Sequence, residues 1–217
     1  MPTSVFLTPD CDCRTFGHWQ SLMNTPNKLT LARIILSPIF MVFFLMDNVY
    51  CRAISLVIFA IASLTDIWDG YLARKYGLTT GFGKFMDPLA DKILTSTAFI
   101  SFATLGYVKA WMILLIITRE FLITGLRSLA AYRGMVISPT MSAKAKTVLQ
   151  MVTIAAILLY INMKTFFEAS GYTGRFFKST MVTQVFDGLV LVTMVVTVIT
   201  GIDYLIKNGA LLKAVLK

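Results

Sequence analysis

One stretch of 26 residues, 66–91, constrains this chain more than any other. It reads DIWDGYLARKYGLTTGFGKFMDPLAD and holds four aspartates, Asp66, Asp69, Asp87 and Asp91, in a sequence with only 11 acidic residues. The apolar run before it, 53–65, has 13 residues and would rise only about 20 Å as a helix, short of a bilayer core of about 30 Å. A helix that spans must therefore continue through Asp66 and Asp69. Carboxylates at that depth are costly unless they face a protein interior, a cavity or a cation, so they mark a functional site.

The surrounding composition fixes the medium. At 57% hydrophobic and 14% charged over 217 residues, the chain is too apolar for an ordinary soluble domain, and an all-α integral membrane protein is predicted. Six apolar segments follow one another, at 29–46, 51–76, 87–106, 110–132, 145–167 and 181–205. Arg33 lies one turn into the first, and Pro38 is expected to kink it. No internal repeat is visible. The domain is drawn at 24–207, between an extension at 1–23 and a basic juxtamembrane tail at 208–217 that alternates Lys with Leu along the headgroups.

The extension has no apolar core long enough for a signal peptide and is expected to be loosely ordered, with Met23 as an alternative start. Cys11, Cys13 and His18 match no zinc spacing, and three cysteines in all, with Cys51, indicate neither a disulfide framework nor a thiolate metal site. A net charge of +9 could serve nucleic acid, but the basic residues cluster at the ends of apolar segments. That placement fits anionic membrane lipids, and no nucleic-acid partner is expected. Phe166, Phe167, Tyr172, Phe176 and Phe177, interleaved with Lys164, Arg175 and Lys178, read as an interfacial belt. Asp187 and Asp203 are expected to pair locally or cap helices.

With six spans both termini share a side. That side, with the 76–86 and 133–146 connections, collects 15 of the 20 Lys and Arg residues; Arg52, Lys109, Lys164, Arg175 and Lys178 lie opposite. The positive-inside rule then puts the termini and the acidic stretch in the cytoplasm.

Asp66 and Asp69 are three apart and Asp87 and Asp91 four apart, so each pair shares a helix face. Four carboxylates at one locus repel unless something positive sits among them. Oxygen ligands without His or Cys point to a hard cation, Mg²⁺ or Mn²⁺. Gly70 and Ala73 continue the Asp66 face without bulk, so a large substrate could approach the backbone there. Gly77, Gly81 and Gly83 would let the connection turn tightly near a ligand. A plainer account, salt bridges to Arg74, Lys84 and Lys92, covers one or two of the aspartates but not four at paired helical spacing.

The pattern Asp66-x-x-Asp69-Gly70-x-x-Ala73-Arg74, eight residues, then Gly83-x-x-x-Asp87-x-x-x-Asp91 resembles the signature of the CDP-alcohol phosphatidyltransferase family, with all eight defining positions present. The resemblance implies a six-transmembrane-helix bundle of that type, an inner-membrane enzyme and typically a homodimer. It would move the phosphatidyl group of a CDP-lipid to an alcohol and release CMP. It also implies two Mg²⁺ or Mn²⁺ ions on Asp66, Asp69, Asp87 and Asp91, with Asp91 doubling as the base. Asn27, Arg33, Gly70, Arg74 and Gly83 would then lie along the CDP moiety of CDP-diacylglycerol.

The fourth segment carries Arg119, Glu120 and Arg127. Glu120 and Arg127 are seven apart and on one face, so they are expected to pair, while Arg119 points about 100° away from Glu120. Lys144 and Lys146 follow on the fifth. This excess of cations suits a phosphate-bearing acceptor. REFLITGLRSLAA, AKAKT at 143–147 with Gln150, and Pro26-Asn27-x-Leu29-Thr30-x-x-Arg33 resemble the branch of the family whose acceptor is glycerol 3-phosphate. That branch implies Arg119, Arg127, Lys144 and Lys146 on the acceptor phosphate. Acceptors of the inositol phosphate, serine or choline type stay open. A six-helix transporter is the alternative from another class, although the broken or duplicated helices it would favour are not visible.

Overall fold

A computed structural model describes residues 25–76, 81–132, 141–171 and 180–208, with side chains in 30–65, 88–131, 145–171 and 181–208. The extension at 1–23 and most of the basic tail lie outside the described residues, as do Tyr172, Arg175, Phe176, Phe177 and Lys178. The described residues form six helices and no strand: α1 Thr25–Leu45, α2 Val49–Tyr76, α3 Gly81–Thr104, α4 Ala110–Tyr132, α5 Met141–Ala169 and α6 Thr180–Lys207. Each contains the body of one of the six apolar segments.

The helix ends follow from local chemistry. Pro26 stands in the first turn of α1, where a missing N–H costs nothing. Asn48 caps α2, its Oδ1 accepting from the Tyr50 N–H at 2.9 Å. α3 closes on Gly106 in the left-handed region (φ 75°). The Gly106 N–H donates to Ala103 O and the Tyr107 N–H to Phe102 O, both at 3.0 Å, the paired bonds of a Schellman turn. α1 continues through Pro38 as one helix.

Two boundaries depart from the sequence reading. α3 begins at Gly81, six residues before Asp87 and with Pro88 inside it. Phe82, Phe85, Met86 and Leu89 recur at helical period and carry the helix upstream. Gly81 and Gly83 are therefore helical residues and not part of a glycine turn; Gly77 lies outside the described residues. α5 likewise starts early, at Met141, so Lys144 and Lys146 both belong to it.

α1 packs on both α2 and α3, α3 on α4, α4 on α6, and α5 on α2, α3 and α6. A core of aromatic rings ties the first three helices together. Phe40 lies 5.5 Å from Phe44 and 5.4 Å from Phe59, and Phe44 lies 5.7 Å from Phe102. At the far end of the bundle from the acidic stretch, Arg52 donates to Thr165 Oγ1 and Asp47 Oδ1. There too the Lys109 N–H donates to Asp187 Oδ1 at 3.2 Å. Asp187 thus caps α4 from α6, across the bundle and not along its own helix. Asp203 pairs locally with Lys207 at 2.9 Å. Lys164 turns inward to Tyr107 Oη, 3.2 Å away, whereas Phe166 is exposed.

The surface is apolar and part of the interior is polar. Leu31, Ile35, Val57, Leu114, Val152, Met163, Val185 and Ile199 point outward, while Ser37, Ser55, Ser101, Thr153, Thr193 and Thr197 are buried. Buried hydroxyls are accommodated on the helices themselves: Ser37 donates to Arg33 O and Ser101 to Thr97 O, each at 2.8 Å. Thr153 and Thr193 meet across α5 and α6 at 3.1 Å. Ala145–Ala169 and Met181–Lys207 are long and apolar enough to cross a membrane. A chain with this outward face is membrane-associated.

Candidate active site

α2 carries Asp66, Asp69, Gly70 and Arg74, and α3 carries Gly83, Asp87 and Asp91, all on continuous helix. The three- and four-residue spacings therefore do place each acidic pair on one helix face. The side chains of Asn27, Asp66, Asp69, Arg74, Asp87 and Lys144, and the surroundings of Gly70 and Gly83, lie outside the described residues. Arg33 is fully buried at 1% exposure on α1, the helix that packs against both α2 and α3.

The side chain of Asp91 is described, and it is half-buried. Its Oδ2 lies 3.1 Å from Lys92 Nζ, so the plainer salt-bridge account holds for this one aspartate. Lys92 does more than neutralise its neighbour, however. The same ammonium lies 3.0 Å from Glu120 Oε2 on α4, a bridge from the acidic stretch to the fourth helix.

Glu120 is the hub of the described site. At 4% exposure it would be a costly buried charge alone, and both of its carboxylate oxygens are engaged. Oε1 accepts from Arg119 Nη1 at 3.0 Å and from Lys146 Nζ on α5, with Gln150 Nε2 3.5 Å away. Arg119 also reaches α6, donating from Nη2 to Thr200 Oγ1 at 3.1 Å. Lys92, Arg119 and Lys146 thus surround two carboxylates, Asp91 and Glu120, which leaves one positive charge in excess before Arg127 is counted.

The expected Glu120–Arg127 pair is not formed. Arg127 lies two turns along α4, roughly 10 Å up the axis, and its guanidinium stands over the Tyr204 ring, 5.8 Å from the centroid. Arg119 pairs with Glu120 although the two leave the helix about 100° apart, its long stem reaching back to the carboxylate. Of the four cations predicted together, the structure brings Arg119 and Lys146 onto one carboxylate and sets Arg127 apart on Tyr204. Sequence reasoning gave no site role to Lys92, Thr200 or Tyr204. The available signal was a lysine beside Asp91 at membrane depth and a Thr-Gly pair interrupting the apolar run of α6.

Divalent-ion chemistry fits what is present. The acidic stretch offers carboxylate oxygen only, the donor set for a hard cation, and Lys92 occupies Oδ2 of Asp91, leaving Oδ1 outside that pair.

The sequence model of CDP-alcohol phosphatidyltransferase matches residues 23–199 of the chain. Over 205 residues the chain is 40% identical to a CDP-diacylglycerol–glycerol-3-phosphate 3-phosphatidyltransferase of Bacillus subtilis, covering 88% of this chain and 98% of the relative. A protein of the same name from Rickettsia typhi is 41% identical over 138 residues, 64% of this chain and 78% of its own. A probable phosphatidylglycerophosphate synthase of Mycobacterium tuberculosis is 36% identical over 186 residues, 84% and 80% respectively. With the match running from before α1 into α6, the chain belongs to the CDP-alcohol phosphatidyltransferase family.

Proposed function

We propose that this chain transfers the phosphatidyl group of CDP-diacylglycerol to glycerol 3-phosphate, giving phosphatidylglycerol phosphate and CMP. The observation that carries this reading is the position of Lys92, whose ammonium is within 3.1 Å of Asp91 and 3.0 Å of Glu120. It joins a carboxylate stretch suited to a nucleotide diphosphate to a cation cluster suited to a second, phosphate-bearing substrate. The names carried by the relatives support the same pair of substrates.

In this reading Asp66, Asp69, Asp87 and Asp91 would hold Mg²⁺ or Mn²⁺, which neutralises the charge of the diphosphate when bound. Asn27, Arg33, Gly70, Arg74 and Gly83 line the CDP moiety. Arg119, Lys144 and Lys146 bind the acceptor phosphate, with Arg127 completing the positive field from Tyr204. Asp91 takes the proton of the acceptor hydroxyl as its oxygen bonds to the lipid phosphorus and the bond to CMP breaks. Purified protein given CDP-diacylglycerol, Mg²⁺ or Mn²⁺ and a panel of acceptors tests the whole scheme. Phosphatidylglycerol phosphate is expected with glycerol 3-phosphate, no lipid product with plain glycerol, and none in excess EDTA until the ion is restored. Equal use of the two acceptors would overturn the acceptor assignment, and full turnover in EDTA the ion assignment.

All six helices cross the cell membrane in this reading, with both termini and the acidic stretch in the cytoplasm. The support is the charge asymmetry, with 5 of 20 basic residues on the opposite side, together with the outward apolar face. In a chain with its own cysteines replaced by serine, Gly171→Cys should react with an impermeant maleimide added outside intact cells, and Thr79→Cys should not. The reverse labelling would invert the topology.

A further inference from the structure

Arg119 reaches its partners through a notch in α6. Nη1 is held by Glu120 on its own helix at 3.0 Å and Nη2 by Thr200 on α6 at 3.1 Å. Between these two anchors the stem of Arg119 crosses the buried Gly201. A Cβ at Gly201 would lie 2.7 Å from Arg119 Nε, 3.1 Å from Cγ and 3.4 Å from Cδ. At Gly106, Gly125, Gly171 and Gly188 such a carbon would meet nothing within 4 Å.

Gly201 lies inside a regular helix, where glycine is among the poorest residues and its left-handed freedom is unused. Its value is the room it leaves for a side chain from α4. The atoms that an added methyl would strike are the stem and the first nitrogen of the guanidinium, not a free tip. Both ends of that guanidinium are engaged, and Glu120 is in turn held by Lys92 and Lys146. A methyl at Gly201 must therefore break the bond to Thr200, the bond to Glu120, or both. Arg119 Nε is itself buried and has no hydrogen-bond partner among the described residues, so the notch holds a donor that neither anchor satisfies.

We propose that Gly201 and Thr200 are positioning residues for the acceptor: the notch and the hydroxyl beside it hold the Arg119 guanidinium where it grips the acceptor's phosphate. This rests on the reading that the acceptor is phosphate-bearing and that Arg119 binds it. It adds α6 to the acceptor site and makes a glycine, not a charged residue, one determinant of acceptor affinity.

The test separates KM for glycerol 3-phosphate from KM for CDP-diacylglycerol in the full-length enzyme, with Gly201→Ala made in the wild type and in an Arg119→Ala background. In the wild type, Gly201→Ala should raise KM for glycerol 3-phosphate about tenfold or more, the scale of one charge-assisted contact, with KM for the CDP-lipid within about twofold. In the Arg119→Ala background it should add less than about twofold, because there is no guanidinium left to displace. Thr200→Val adds no volume and should raise the same KM several-fold. It decides the matter if Gly201→Ala cannot be purified folded. Equal losses for both substrates, full additivity in the Arg119→Ala background, or an unchanged Thr200→Val would each overturn the notch while the wild-type activity stands. A wild-type enzyme that makes no product from glycerol 3-phosphate would instead remove the functional reading beneath it.

Discussion

Asp91→Asn is expected to lower turnover by about a hundredfold or more while affinity for CDP-diacylglycerol changes little. Asparagine keeps the shape of the side chain and removes its ability to accept a proton, and a hydroxyl is a poor nucleophile until an acceptor lies within hydrogen-bond reach. Asp91 is the last carboxylate of the acidic stretch, and its neighbour Lys92 extends to Glu120 and the cation cluster. In the proposed reading it therefore stands where the two substrates meet. Because Lys92 holds Oδ2 at 3.1 Å, the proton would be taken by Oδ1. Asp66→Asn should behave differently, weakening ion and CDP-lipid binding together by deleting a ligand charge. Single-turnover kinetics with measured donor affinity separates the two. Asp91 would be reduced to one more ligand if its asparagine variant lost donor affinity as severely as Asp66→Asn, or kept most of its kcat.

Glu120→Ala is expected to be the most destabilising single change in the described site. Removing one partner of a buried ionic group costs about 3–5 kcal/mol, because the charges left behind have no counter-charge. Here Arg119 and Lys146 would be left without a carboxylate and Lys92 with Asp91 alone, three cations that reach Glu120 from three helices. The variant should show a clearly lower Tm in detergent micelles and lose activity with glycerol 3-phosphate. Asp203→Asn makes the comparison: its partner Lys207 is one turn away and both side chains are well exposed, so the loss should be under about 1 kcal/mol. A Glu120→Ala protein as stable as Asp203→Asn would mean that the three cations do not depend on that carboxylate.

The six helices were legible because hydrophobic segments report them directly, and each observed helix covers the body of a predicted segment. Their ends were less so. Phe82, Phe85 and Met86 extend α3 over residues that Gly81, Gly83 and Pro88 mark as breakers, and a sequence cannot say which of two local preferences prevails. Four carboxylates in so apolar a chain mark the acidic stretch as a candidate site, because they are too costly to keep without a cation or a cavity to face, and the helices carry them at the spacing read from the sequence. The cation cluster was legible only in part: Arg119 and Lys146 were read as members, whereas Lys92 was not and Arg127 stands apart on Tyr204. Spacing along α4 favoured Arg127 for Glu120, whereas the partners that fill its oxygens include Lys92 from α3 and Lys146 from α5. Contacts between helices carry no signature in a period of 3.6 residues. Gly201 was invisible for the same reason: the volume it yields is used by another helix.

The outward face of leucines, isoleucines and valines bears on how the bundle coheres. In water such surfaces would drive helices together, but lipid tails are as apolar as the side chains, so separating two helices within a bilayer exposes nothing that the solvent rejects. Cohesion must then come from contacts the lipid cannot imitate. Two such sets stand out among the described residues. One is the interlocked rings of Phe40, Phe44, Phe59 and Phe102, whose close packing joins α1, α2 and α3. The other is the charge cluster on Glu120, which draws on α3, α4 and α5 and, through Arg119, on α6. α3 belongs to both. The residues proposed to serve the chemistry thus also tie together four of the six helices, so loosening that cluster would loosen the helices around it.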